Sequence, residues 1–439
     1  MTSIEQLYTY YRQYPLVVTD SRQLSSGSLF FALKGERFDG NKFAEEALSK
    51  GAAYAVIDDP AYQKGERCLL VEDVLTSLQQ LATHHRTQFD IPILAITGSN
   101  GKTTTKEVLH KVLAAHYRTH ATNGNFNNHI GVPLTLLRMS TETEIAIIEM
   151  GANRIGDIEE LCKIARPTHG LITNVGKAHL EGFGSEEGVR QGKSELYRFL
   201  AAHRGVAFIN IDEPHLSDLA AVVNRRLYYY RSETLSADPQ HFEIKVLGIS
   251  PYVRVAFREE EEELICHSRL IGAYNVNNIM TGIAVGQYFK VPADQIKAAI
   301  ESYIPKNNRS ELLEYGGNHY ILDAYNANPN SMRGAIDHFA SLPAAPKMAI
   351  LGDMLELGPY SQAEHQALVD YAGGLGFEEL VLVGAAFGEL KEPGSARHFA
   401  DVTALRAWFD QQAFGGYHIL LKGSRGIGLE RLLKSSASP

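Results

Sequence analysis

The run Ile91-Pro-Ile-Leu-Ala-Ile-Thr-Gly-Ser-Asn-Gly-Lys-Thr-Thr104 constrains the fold more than any other part of the chain. An unbroken apolar run with buried-strand character enters a Gly-rich turn and leaves as a helix. After the turn, Val108, Leu109, Val112 and Leu113 share one helical face. Further apolar runs follow at Ile145–Ile148, Gly170–Thr173 and Val206–Ile209, each separated from the next by helix-length sequence. Parallel strands need such crossovers, so the alternation predicts a parallel α/β sheet.

Two further units flank this one. Residues 1–86 carry strand-like Ser28–Leu33 and Ala53–Ile57, with a short helix predicted over Phe43–Lys50 that Gly51 terminates. Residues 307–439 carry strands at His319–Leu322, Met348–Leu351, Leu380–Val383 and His418–Leu421, again at helix-length intervals. The middle unit, 87–306, ends on two β-like runs flanking Glu259–Glu263, read as a solvated hairpin tip. The Ser-rich tail after Lys434 is expected to fray. With 439 residues, three α/β domains fit the length.

The formal net charge of −9 opposes nucleic-acid binding, which needs dense Lys/Arg faces. An anionic small substrate would therefore need a local positive field. The three cysteines, Cys68, Cys162 and Cys266, are far apart and form neither a disulfide framework nor a zinc pattern. The start, MTSIEQLYTYYRQY, lacks a basic segment followed by an apolar one, and no apolar run approaches the roughly 18 residues that span a bilayer. A cytoplasmic protein without membrane insertion is expected.

The chemistry concentrates at strand ends. In Gly98-Ser-Asn-Gly-Lys-Thr-Thr104, backbone N–H groups of the turn can cradle phosphate, and the helix start adds positive dipole. Lys102 reaches the β/γ-phosphates and Thr103 offers a hydroxyl to Mg²⁺. Ile96 stands where the full phosphate-loop pattern has its first Gly. Glu149 closes the Ile145–Ile148 strand, where a carboxylate points into the ligand crevice and suits a hard cation. Asn174, Lys177 and His179 leave the next strand on the same sheet edge. Lys193 lies early in a predicted helix, where most lysines are solvated.

Together these features resemble the Mur ligase family, whose members build the peptide of the cell-wall precursor. The resemblance covers all three units. It rests on the short phosphate loop, Glu149, the Asn174…His179 element and Gly272-Ala-Tyr-Asn-Val-Asn-Asn278, with Tyr274 where many members have His. It implies an ATP- and magnesium-dependent ligase forming a C–N bond, with Asn275 and Asn278 near the adenine. It implies that Arg309 and Asp323 face the nucleotide from the third domain. It also makes Lys193 a candidate for carbamylation, which would let it join Thr103, Glu149 and His179 around metal. Lys102, His179 and Lys193 are then the catalytic candidates.

Three third-unit segments, Asp323-Ala-Tyr-Asn-Ala-Asn-Pro-Asn-Ser-Met332, Leu351-Gly-Asp-Met-Leu-Glu-Leu-Gly358 and Leu421-Lys-Gly-Ser-Arg425, resemble the branch that adds D-alanyl-D-alanine to UDP-N-acetylmuramoyl-tripeptide. The dipeptide candidates are Tyr325, Asn326, Asn328, Asp353 and Lys422. The first unit resembles the family's UDP-sugar-binding domain, with Ser21, Arg22, Lys34 and Arg37 as candidates. A monomer is expected. The alternatives are a diaminopimelate- or lysine-adding ligase, a folylpolyglutamate synthase, or a non-catalytic nucleotide-binding relative. The third residue of the tripeptide stays open.

Overall fold

The computed structural model describes residues 1–236 and 241–433, so the tail after Lys434 lies outside the described residues. Among the described residues, three larger sheets organise the chain, beside one two-stranded ribbon of Lys34–Gly35 with Phe38–Asp39. The first is parallel and four-stranded, ordered Val17–Val18, Leu29–Phe31, Tyr54–Ile57, Cys68–Leu70. Its helix forms over Ala44–Ser49, and Gly51 follows at φ +105°, the left-handed turn that glycine permits. Helix Val74–Arg86, capped by Asp73, leads into the second sheet.

The second sheet has nine strands. Seven are parallel, and six of these are ordered Arg225–Arg231, Val206–Asn210, His169–Ile172, Ile93–Thr97, Ile145–Glu149, Thr119–Ala121. Beyond Arg225–Arg231 come His241–Gly248, still parallel, and then an antiparallel hairpin of Arg254–Glu259 with Glu262–His267. The hairpin turns at Glu260, φ +51°. The acidic run is only partly a free tip, because Glu259 accepts a hydrogen bond from the backbone N–H of Ala293 at 3.0 Å and so docks helix Ala293–Ser302.

Helix Lys102–Ala114 buries Val108, Leu109, Val112 and Leu113 completely, as their spacing predicts. It packs on helix Val276–Tyr288, where Gly282 and Gly286 allow the approach. A Cβ at Gly282 would stand 2.6 Å from Val108 Cγ1, and one at Gly286 2.7 Å from Val112 Cγ1. Lys193 sits in the middle of helix Glu186–Ala202, not near its start. Ser185 caps that helix by accepting from Gly188 N, and Lys193 lies two turns further on.

The third sheet is ordered Glu311–Tyr315, Asn318–Asp323, His418–Lys422, Lys347–Gly352, Glu379–Val383, Arg397–Phe399. The first pair is an antiparallel hairpin and the rest are parallel. Every strand expected in this unit forms. In an open parallel sheet the carboxyl ends of the strands border the ligand crevice. Here the carboxyl ends of Ile93–Thr97, Ile145–Glu149, Asn318–Asp323 and His418–Lys422 all border one cavity.

Candidate active site

That cavity holds about 850 Å³ and is lined from Ser99 through Thr105, and by Glu149, His179, Asn275, Asn278, Arg309, Asp323, Tyr325, Asn326 and Lys422. The phosphate turn is built as its glycines require: Gly98 has φ +143° and Gly101 φ +81°, conformations that side chains resist. A Cβ on Gly98 would fall 2.0 Å from Thr173 Oγ1. Asn174 braces the loop, its Oδ1 accepting from Asn100 N at 2.9 Å and its Nδ2 donating to Asn100 O at 3.0 Å. Lys102 curls over the turn, donating to the carbonyls of Gly98 at 2.5 Å and Ser99 at 3.2 Å. Burial pushes its pKa down to about 8; Glu149 opposes that shift and Arg309 adds to it.

Glu149 is buried. Its Oε1 accepts from Thr103 Oγ1 at 3.2 Å and from Asn127 Nδ2 at 2.8 Å. Its Oε2 is buried and accepts no hydrogen bond; the nearest cation is Lys106 Nζ at 3.6 Å. A buried carboxylate oxygen left without a donor beside a threonine hydroxyl fits a hard divalent cation.

His179 lies at φ +51°, and its Nδ1 is 2.5 Å from Oε2 of Glu356, a third-domain residue. The close approach of the His179 imidazole holds the Glu356 carboxyl below the usual carboxylate range. Lys193 is buried, with Nζ 3.4 Å from Ala152 O and 5.3 Å from the Phe183 ring centroid. Burial, helped by the charge of Lys102, holds its pKa well below the ordinary lysine value. Among the described residues no three His, Cys, Asp or Glu side chains converge as a metal cluster. Glu149 and Thr103 therefore stand together, while His179 and Lys193 have other partners.

Asn275 and Asn278 line the cavity with their amides engaged. Asn278 Nδ2 donates to Asn275 Oδ1 at 2.7 Å, Asn278 Oδ1 accepts from Thr105 Oγ1 at 2.9 Å, and Asn275 Nδ2 donates to Ile271 O at 2.8 Å. They tie the phosphate-loop helix to helix Val276–Tyr288. Across the cavity, Lys422 Nζ is 3.1 Å from Asp323 Oδ2 and donates to Asn326 O at 2.6 Å. Arg309 lies 3.8 Å above the Tyr325 ring.

Two of the expected dipeptide residues are placed otherwise. Asp353 is buried and caps helix Ala385–Gly388, accepting from Ala386 N at 2.9 Å and Phe387 N at 3.1 Å. It does not line the cavity. Asn328 caps helix Pro329–Ser341 and donates from Nδ2 to Asn100 Oδ1 at 2.7 Å, so it joins the domains.

The expected UDP-binding residues also stay outside this cavity. Arg22 forks onto Asp20 at 2.8 Å, and Lys34 pairs with Asp58 at 2.8 Å. Ser21 opens the short helical turn holding Arg22, and Arg37 is exposed between strands Lys34–Gly35 and Phe38–Asp39. Residues not anticipated include Lys106 and Asn127 at Glu149, Glu356 at His179, and Glu364, which meets Lys177 Nζ at 2.6 Å. The cluster of asparagines in Asn123-Gly-Asn-Phe-Asn-Asn128 was the available signal for Asn127.

Comparison with known proteins agrees with this layout. The family model for the Mur ligase middle domain matches residues 96–286, that for the Mur ligase glutamate ligase domain matches 308–425, and that for the Mur ligase family catalytic domain matches 13–86. A protein of Bacillus subtilis (strain 168) named UDP-N-acetylmuramoyl-tripeptide–D-alanyl-D-alanine ligase is 35% identical over 95% of this chain and 92% of its own length. A crystal structure of MurF from Acinetobacter baumannii superposes with TM-score 0.85 at 29% identity, covering 98% of this chain and 97% of that one. MurF ligase from Thermotoga maritima, in complex with ADP, superposes with TM-score 0.83 at 27% identity, covering 96% of each chain.

Proposed function

The chain belongs to the Mur ligase family, and on that premise we propose that it joins D-alanyl-D-alanine to UDP-N-acetylmuramoyl-tripeptide at the expense of ATP. The observation that carries this reading is one cavity walled by both the phosphate loop and the Asp323–Asn326 loop of the third domain. It is an ATP-dependent ligase of peptidoglycan precursor synthesis. We place it in the cytoplasm as a monomer; no described helix is long and apolar enough to cross a membrane.

A carboxylate is a poor electrophile because an oxide leaves badly. Its oxygen attacks the γ-phosphorus of ATP, ADP departs, and an acyl phosphate results. That transfer depends on positioning and charge neutralisation. The loop amides between Gly98 and Thr104 hold phosphate oxygens, and Lys102 exchanges its loop carbonyls for them. Thr103 and Glu149 are the residues that would hold Mg²⁺, which supplies further positive charge to the triphosphate when bound. The dipeptide amine then attacks the acyl carbon, phosphate leaves, and the amine loses a proton. Water would hydrolyse the acyl phosphate, and the third domain's Asn328, bonded to Asn100 of the loop, is where the domains close over the site.

Lys193 is the carbamylation candidate on this reading. Its buried amine favours the neutral form, which is the form that combines with CO₂. The N-terminal domain takes the uridine-diphospho end, with Arg22 and Lys34 exchanging Asp20 and Asp58 for phosphate oxygens and Ser21 and Arg37 beside them.

Phosphate release measured with each substrate omitted tests the assignment. Release should need ATP, the tripeptide nucleotide and D-alanyl-D-alanine together, and Lys102→Ala should lower it by about 10²-fold or more. Equal release with free meso-diaminopimelate or L-lysine would move the chain to another branch of the family.

A further inference from the structure

A second cavity, of about 1080 Å³, runs along the Thr103–Lys111 face of the phosphate-loop helix and shares Thr103, Arg309 and Tyr325 with the first. Its walls come from different parts of the chain. The turn residues 99–101 line only the first cavity, and so does Leu75, the one N-terminal-domain residue at either. A substrate anchored through the N-terminal domain, and a triphosphate on the turn, therefore both approach through the first cavity. The second is walled by the middle and third domains alone, which suits a reactant carrying neither handle.

Its charge is the reverse of the protein's. In a chain of net charge −9, this cavity gathers six lysine and arginine side chains against the carboxylates of Glu107 and Glu430. Glu107 is already engaged, accepting from Tyr303 Oη at 2.6 Å. At the seam between the cavities, the guanidinium groups of Arg309 and Arg425 lie 3.8 and 5.3 Å from the centroid of one ring, Tyr325. Neither has a carboxylate partner among the described residues. A guanidinium supported on an aromatic face keeps its planar donor fork free, the geometry that takes a carboxylate bidentately.

We propose that the second cavity receives the incoming dipeptide and that Arg425, held against Tyr325, binds its terminal carboxylate, leaving the amine toward the shared wall at Thr103. This deepens the ligase reading and rests on it. Arg425 is then a binding residue that distinguishes a free C-terminal carboxylate from a blocked one.

Steady-state kinetics on the full-length enzyme with Arg425→Gln and Arg425→Lys test this, using D-alanyl-D-alanine and its C-terminal amide. Losing a charge-assisted bond should raise the dipeptide KM about 10- to 100-fold in Arg425→Gln. Arg425→Lys should fall between it and the unaltered enzyme, with KM for ATP and the tripeptide nucleotide unchanged in both. The unaltered enzyme should disfavour the amide by a similar factor, and Arg425→Gln should treat the two dipeptides nearly alike. Arg425 is exposed, so both variants should fold. An unchanged dipeptide KM, equal use of the amide by the unaltered enzyme, or a rise confined to the ATP KM overturns the assignment. Absence of phosphate release with any D,D-dipeptide would instead overturn the ligase reading beneath it.

Discussion

Replacing Lys106 by Met tests how the site tolerates Glu149. The two side chains are almost wholly buried and 3.6 Å apart. At an effective dielectric near 20, their attraction is about 4–5 kcal/mol before desolvation is subtracted. What the substitution exposes is the uncompensated carboxylate. Glu149 Oε2 has no hydrogen-bond donor, so without the ammonium it is a bare buried charge. Breaking such a pair typically costs about 3–5 kcal/mol. Urea unfolding followed by far-ultraviolet circular dichroism, in chelator, should show a loss of that order in the middle-domain transition. Magnesium should then stabilise Lys106→Met more than the unaltered protein, since the lysine no longer competes for Oε2. The gain is ~2.7 kcal/mol at a hundredfold excess over Kd. The double variant Lys106→Met with Glu149→Gln should be more stable than Lys106→Met alone. A loss under about 1 kcal/mol, or strict additivity in the double variant, would refute the reasoning.

Asp353→Ala should lower stability by about 2 kcal/mol, because it strands the N–H groups of Ala386 and Phe387, while leaving the dipeptide KM unchanged. Thermal melts and kinetics on one preparation check both halves. His169 gives an acid-side signature: burial pushes its pKa down to about 4, with Arg225 adding. The ring is neutral when folded, so its contribution is complete above about pH 6.5 and is lost as pH falls toward 4, where the unfolded chain alone takes the proton. His169→Gln should flatten ~2–3 kcal/mol of that decline in a pH series of unfolding curves. Lys193→Ala should lose most ligase activity, and short-chain carboxylates at high concentration should partly restore it; a fully active variant would remove Lys193 from the metal site.

What the sequence made legible followed from short-range rules. The sheet strands are continuous apolar runs, and Lys102, Thr103 and Glu149 stand beside strand ends where the chain must open on a crevice. Less legible were residues whose partners lie far along the chain. Asp353 follows a strand just as Glu149 does, but its oxygens meet amides more than thirty residues later, and local pattern cannot distinguish cap from ligand. Lys106 reads as one more helix lysine until the sheet brings Glu149 beside it. Asn328 was readable in principle: Asn followed by Pro is the start of a capped helix. Arg22 lies beside its own counter-charge in sequence, whereas Lys34 meets Asp58 only through the fold.

The seam between the middle and third domains mixes two kinds of contact. Asn100 and Asn328 face each other as neutral amides, whereas Lys177–Glu364 is an ion pair at the rim. Ions screen the second kind, over a Debye length of roughly 8 Å at physiological strength, and leave the first almost untouched. Parting the domains therefore becomes easier as salt rises, down to a floor set by the amides. The phosphate loop's own bracing by Asn174 is uncharged, so ionic strength bears on how the two halves of the site meet and not on the shape of the loop itself.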